Sequence, residues 1–139
     1  MTPNFRQVDL RSPQPLPFRP DPDYLVFSSA EALAAFYEVP PWSSGVDWAR
    51  EFLLVAERGE CPTGGYRVAI ESVTWPGRPA GVLVAKVVMA SPRPSDMVTM
   101  ALTFPRAAVA VERAGLEGLS RVAFVDARGQ TLGTAEVIS

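Results

Sequence analysis

YRVAIESVTWPGRPAGVLVAKVVMA, residues 66–90, is the stretch from which the rest of the chain can be read. Tyr66, Val68 and Ile70 alternate with Arg67, Ala69 and Glu71, the period of a strand with one buried and one wetter face. Trp75-Pro76-Gly77-Arg78-Pro79 is turn chemistry, because proline removes a ladder donor and glycine opens the left-handed region. Gly81 to Met89 is rich in Val and returns as a second strand. The spacing predicts an antiparallel hairpin.

Upstream, FLLVAE (52–57) is apolar up to its closing Glu57 and reads as a strand buried on both faces, after a turn at 47–51 capped by Asp47. YLVF (24–27) is a further short strand. It feeds Ser28-Ser29-Ala30-Glu31, where Ser28 as N-cap and Glu31 three residues later predict a capping box. Ala30, Leu33, Phe36 and Tyr37 then share one helical face, and Pro40-Pro41 stops the helix.

Downstream, Val98, Met100, Leu102 and Phe104 alternate with Met97, Thr99, Ala101 and Thr103, which predicts a strand with one core face. Pro105 breaks it, and Ala107, Val109 and Val111 resume the alternation. Residues 113–120 are a glycine-marked connector. Segments 121–125 and 131–138 flank Asp126-Ala127-Arg128-Gly129, a type I turn with a bulge, and so form a closing hairpin.

The fold class is therefore mainly β (α+β), with about seven strands and one short covering helix. Short turns between strands favour antiparallel connections over βαβ crossovers. A small antiparallel sandwich and a partly open barrel satisfy the pattern equally. Residues 1–23 carry six of the fourteen prolines and read as an extended proline-rich arm, with 24–139 as a single β-rich domain.

Composition narrows the function. With 47% apolar and 20% charged residues the chain is globular in type, and no apolar run approaches a membrane span. The first residues lack an apolar signal core, so a cytoplasmic protein is expected, although a secreted form with its signal removed is compatible with the same residues. A net charge of −2 provides no basic field for nucleic acid. The chain has no histidine and one cysteine, Cys61, which removes the usual general base, a Ser/His/Asp triad, a Cys/His nucleophile and a cysteine zinc site. No GxGxxG, GxxxxGK[ST] or GxSxG motif occurs. The expectation is a non-enzyme with no catalytic residues, no metal and no cofactor. Glu57, Glu60 and Glu71 can be read as a carboxylate cluster and Cys61 as a reactive thiol, but solvated strand ends and an inert thiol are favoured. Trp42, Trp48 and Trp75 are read as packing at the domain rim.

The candidate binding loop lies between FLLVAE and the hairpin. Pro62 fixes its backbone, Thr63 bonds locally, Gly64 and Gly65 permit positive φ or a close approach, and Tyr66 and Arg67 begin the strand. One reading is a tight turn with Tyr66 packed inward. The other is a rigid binding loop of Pro62, Thr63, Gly64, Gly65, Tyr66 and Arg67. VDWAREFLLVAERGECPTGGYRVAIESV (46–73), with its P-T-G-G-Y before a strand, and ALTFPRAAVAVE (101–112), a strand with an inserted Pro, resemble the C-terminal domain of the PrcB protease-complex subunit family over about residues 46–111. Two positions differ from that family: Cys61 replaces a basic or polar residue, and Arg106 replaces an aromatic. The resemblance implies an accessory module that binds and stabilises a secreted subtilisin-like protease. The same loop is similar, more faintly, to the P-T-T-G-Y loop of chagasin-type cysteine-protease inhibitors, whose other two loop motifs are absent. The functional expectation is a protein-interaction module with a protein partner, a protease among the candidates. The alternatives are a small-ligand or enzymatic pocket bounded by Tyr66, Arg67 and Glu71, a chagasin-like inhibitor, and homo-oligomerisation through an exposed strand edge.

Overall fold

The computed structural model describes residues 2–10, 17, 19–38, 45–76 and 81–138. Pro13, Pro15, the helix stop at Pro40-Pro41, Trp42 and the turn residues Gly77-Arg78-Pro79 lie outside them. In chain order the elements are β1 (Phe5–Val8), β2 (Asp23–Phe27), α1 (Ala30–Tyr37), β3 (Glu51–Glu57), β4 (Arg67–Thr74), β5 (Val82–Ala90), β6 (Arg106–Glu112), β7 (Arg121–Val125) and β8 (Thr131–Ile138).

The eight strands form one sheet in the order β1-β6-β3-β2-β8-β7-β5-β4. Five pairings are antiparallel, and two, β2 with β8 and β5 with β7, are parallel. The sheet curls until its two edges approach, and the Gln7 amide donates across the seam to the Ile70 carbonyl at 3.1 Å. A partly open barrel, not a sandwich, is the result. Among the described residues no helix is long and apolar enough to cross a membrane.

Strand β3 explains the layering. All seven of its residues are buried. Phe52, Leu54 and Ala56 point into the barrel and pack with Ile70, Leu83, Val109 and Phe124, while Leu53 and Val55 point outward beneath α1 with Phe27, Leu33 and Tyr37. The apolar run Phe52 to Ala56 is thus what a barrel wall covered by a helix requires. The closing hairpin behaves as its sequence predicts: Gly129 has φ +84° and donates to the Asp126 carbonyl, and Asp126 Oδ1 accepts from the amides of Arg128 and Gln130.

Three details differ from the sequence reading. The N-cap of α1 is Ser29, not Ser28: its hydroxyl accepts from the Ala32 amide at 3.1 Å, so the helix starts one residue later. Within the proline-rich arm, Phe5–Val8 pairs with β6 as an edge strand, in register Phe5 to Val111. Residues 98–104 do not form a strand. Their only ladder-type pairing among the described residues is an isolated bridge between Thr103 and Cys61. β6 is already flanked by β1 and β3, and β5 by β4 and β7, so neither offers these residues a free edge despite their alternation.

Candidate functional site

The 61–67 loop is built by pairing with residues 97–103. Cys61 and Thr103 exchange two backbone bonds at 2.8 and 2.9 Å. The Gly64 amide donates to the Thr99 carbonyl at 2.8 Å, and the Thr103 hydroxyl donates to the Thr63 carbonyl at 2.7 Å. The Thr63 hydroxyl turns locally to the Gly64 carbonyl at 3.0 Å. Four such bonds make a stiff double loop out of two segments with no strand of their own.

Both glycines have a steric reason. A Cβ on Gly64 would lie 3.3 Å from the Thr99 amide nitrogen. Gly65 has φ +88°, and a Cβ there would lie 2.9 Å from both Pro92 Cβ and Val98 Cγ1. The diglycine is therefore what lets residues 92–99 lie directly on the loop. The proline-rich arm braces the other side, where Glu60 donates to the Pro20 carbonyl at 2.9 Å.

Tyr66 is half-buried instead of packed inward. Its ring lies under the Arg58 guanidinium at 5.0 Å, and Arg58 Nη1 donates at 2.6 Å to the carbonyls of Arg67 and Ala90, the facing pair that opens the β4–β5 ladder. Arg58 was not singled out in the sequence. Its signal was only a basic residue eight positions before an aromatic, which no local rule marks. Pro62 and Arg67 are exposed, and Gly65, Arg67, Ser91, Pro92, Met97 and Val98 line a shallow groove of about 440 Å³ beside the loop.

The segment on the loop carries the apolar surface. Met97 is 100%, Met100 84% and Leu102 57% exposed, although alternation assigns Met100 and Leu102 to the core. Three large apolar side chains in six residues, held in water by a hydrogen-bonded loop, differ from the scattered single hydrophobes of an ordinary surface.

The other candidates disperse. Glu57 is buried and takes two bonds from the Arg106 guanidinium, which also reaches the Pro17 carbonyl at 3.0 Å and lies 5.2 Å over the Tyr37 ring. Glu71 pairs with Lys86 at 3.0 Å, and Glu60 is exposed, so the three carboxylates do not converge. Among the described residues no group of three or more His, Cys, Asp or Glu is placed to hold a metal. Cys61 is buried, with its Sγ 3.8 Å from the Gly59 carbonyl. Of Tyr66, Arg67 and Glu71, Arg67 lines the groove beside the loop. Trp48 and Trp75 are half-buried and pack at the rims of the outer and inner cores.

Fold and loop together define a class: a small, partly open β-barrel that presents a braced diglycine loop with an apolar segment laid across it. Residues 53–112, a little under half of the chain, match the family model described as PrcB C-terminal, the family that the P-T-G-G-Y stretch resembles. The match runs from β3 to the end of β6 and so contains both halves of the double loop and the Glu57–Arg106 pair. No curated protein and no solved structure matches the chain.

Proposed function

We propose that this barrel is a non-enzymatic protein-interaction module whose contact surface is the 61–67 loop together with Met97, Met100 and Leu102, and that its partner is a protease it accompanies and stabilises. The observation that carries the reading is the exposure of those three side chains on a backbone fixed by four hydrogen bonds. Burying large apolar side chains against a partner is favourable, and a platform ordered beforehand loses little entropy on binding. The PrcB C-terminal match adds the protease, through the family's name alone.

The test is co-elution of the purified domain with a subtilisin-like protease from the same host, followed by the lifetime of the protease's activity. The domain is expected to prolong that lifetime, and Met97→Asp with Met100→Asp to abolish both effects while the melting temperature stays put. Thr63→Ala with Tyr66→Ala tests the loop half of the surface in the same way. A domain that shortens the lifetime, or blocks turnover at once, would instead be an inhibitor of the chagasin type. A protease indifferent to the domain ends the reading.

A further inference from the structure

The accessible sulfur of this chain is thioether, not thiol. Cys61 is 4% exposed and its Sγ lies 3.8 Å from the Gly59 carbonyl, so an oxidant in solvent does not reach the one thiol. Of the four methionines, Met1 lies outside the described residues, Met89 is 42% exposed on β5, and Met97 and Met100 are 100% and 84% exposed. A thioether has no acidic proton to lose, so its oxidation follows access to the sulfur and not pH. Met97 and Met100 therefore react ahead of Met89.

Their placement confines the consequence to one surface. Both sit in the segment laid over the 61–67 loop, and that segment is held through its backbone: the Thr99 carbonyl accepts from Gly64, and Thr103 exchanges two bonds with Cys61. Neither methionine side chain is part of the inner or the outer core. Conversion to the sulfoxide makes a flexible apolar side chain polar, and here it does so without touching the packing of the barrel. Leu102, 57% exposed in the same segment, has no sulfur and stays apolar.

We propose that Met97 and Met100 are a reversible modification site, oxidised by hydroperoxides, through which the apolar contact surface is withdrawn while the barrel stays folded. At each sulfur the peroxide O–O bond breaks and an S–O bond forms. Sulfur loses two electrons, and the hydroperoxide is reduced to an alcohol, or to water when hydrogen peroxide is the oxidant. A sulfoxide reductase supplied with a dithiol reverses the step, giving the thioether, a disulfide and water, and both positions are open to such an enzyme. A sulfoxide oxygen pressed against an apolar partner loses its hydrogen bonds to water, which opposes docking. The effect on a partner rests on the reading of this surface under Proposed function; the modification itself needs no partner.

The experiment treats the whole chain with hydrogen peroxide at neutral pH. Peptide mass mapping locates the added oxygen, a hydrophobic-interaction column reports the apolar surface, and the melting temperature reports the fold. Oxygen is expected first at Met97 and Met100 and more slowly at Met89, with shorter retention and an unchanged melting temperature. Two sulfoxide reductases, one for each sulfoxide epimer, with dithiothreitol should restore both mass and retention. Met97→Leu/Met100→Leu keeps the apolar surface without the sulfur and should hold its retention through the same treatment. With the protease of the proposed function, the oxidised domain should bind at least about tenfold more weakly, as burial of unpaired polar groups implies, and the Leu variant as before. A protease that ignores the untreated domain ends the docking reading alone, because mapping and retention still decide the modification site. Oxygen at Met89 as early as at Met97 and Met100, an equal fall in retention in the Leu variant, a lowered melting temperature, or undiminished binding of the oxidised domain would overturn the inference.

Discussion

The Gln7 side-chain amide donates to the Ile70 carbonyl at 3.1 Å, joining the first strand of the sheet to the last. Ile70 is where the β4–β5 register shifts, so its carbonyl sits beside a break in the ladder. Gln7→Ala is expected to cost about 1 kcal/mol, the net worth of one such bond. Hydrogen exchange should show the loss in β4 and hardly at all in β7 and β8. An unchanged β4 would mean that the seam is held by packing alone.

Arg106 and Glu57 make the second prediction. Their side chains are 18% and 2% exposed, so Arg106→Ala leaves a buried carboxylate without its partner. Breaking such a pair costs about 3–5 kcal/mol, whereas replacing both members by apolar residues of similar volume is often close to neutral. The expected result is a large loss of chemical-denaturation stability in Arg106→Ala and substantial recovery in Glu57→Leu/Arg106→Met. Equal losses in the single and the double variant would show that the cost does not come from the stranded Glu57 carboxylate.

A third prediction separates backbone strain from packing in the diglycine loop. Gly65→Ala meets Pro92 and Val98 at 2.9 Å, while Gly129→Ala, at a similar φ of +84°, meets nothing within 4 Å. Gly129→Ala should cost about 1–2 kcal/mol, the price of the left-handed backbone for an L side chain. Gly65→Ala should cost clearly more and should perturb the amide resonances of Gly64 and Thr103. Matching losses at the two positions would mean that residues 92–98 yield freely.

The Tyr37 hydroxyl is buried and has no hydrogen-bond partner among the described residues, and burial holds its pKa well above the usual phenol value. An unsatisfied buried donor costs about 1–3 kcal/mol. Tyr37→Phe is therefore expected to raise the melting temperature by a few degrees. A lower melting temperature would show that the hydroxyl is satisfied.

Glu51 supplies a pH dependence. The hydrogen bond from Arg6 is the main influence holding its carboxyl below the usual value, with help from the Asp47 amide against the opposing effect of burial. A carboxylate depressed in the folded state contributes stability above its unfolded pKa and loses it as the pH falls through the folded one. The contribution should be complete above about pH 4.5, the unperturbed carboxyl value, and should fade below it. In Glu51→Gln the acid side of the stability profile should be correspondingly flatter, which acid titration followed by circular dichroism would show.

The two hairpins and the doubly buried β3 were legible because their determinants are local: alternation at 66–71, a turn with Asp first and Gly fourth at 126–129, and an unbroken apolar run at 52–56. The parallel pairs were not, since nothing in the sequence around Val82 or Val137 indicates a neighbour forty or a hundred residues away. Residues 98–104 misled for a related reason. Alternation reports what a segment suits, while strand formation also needs a free edge, and β5 and β6, its neighbours in the chain, are each already paired on both sides. The site divides in the same way: the loop glycines announced themselves, whereas Arg58 matters only through carbonyls brought to it by the fold.

Val26 lies beside Val137 and Phe5 opposite Val111, so the first strands of the chain find their neighbours near its end. During synthesis β3 lacks its second strand neighbour until β6 has left the ribosome, and β2 lacks its own until β8 has. Such long-range closure makes for slow folding and a window open to aggregation. A nascent chain of this kind depends on whatever shields it in that interval.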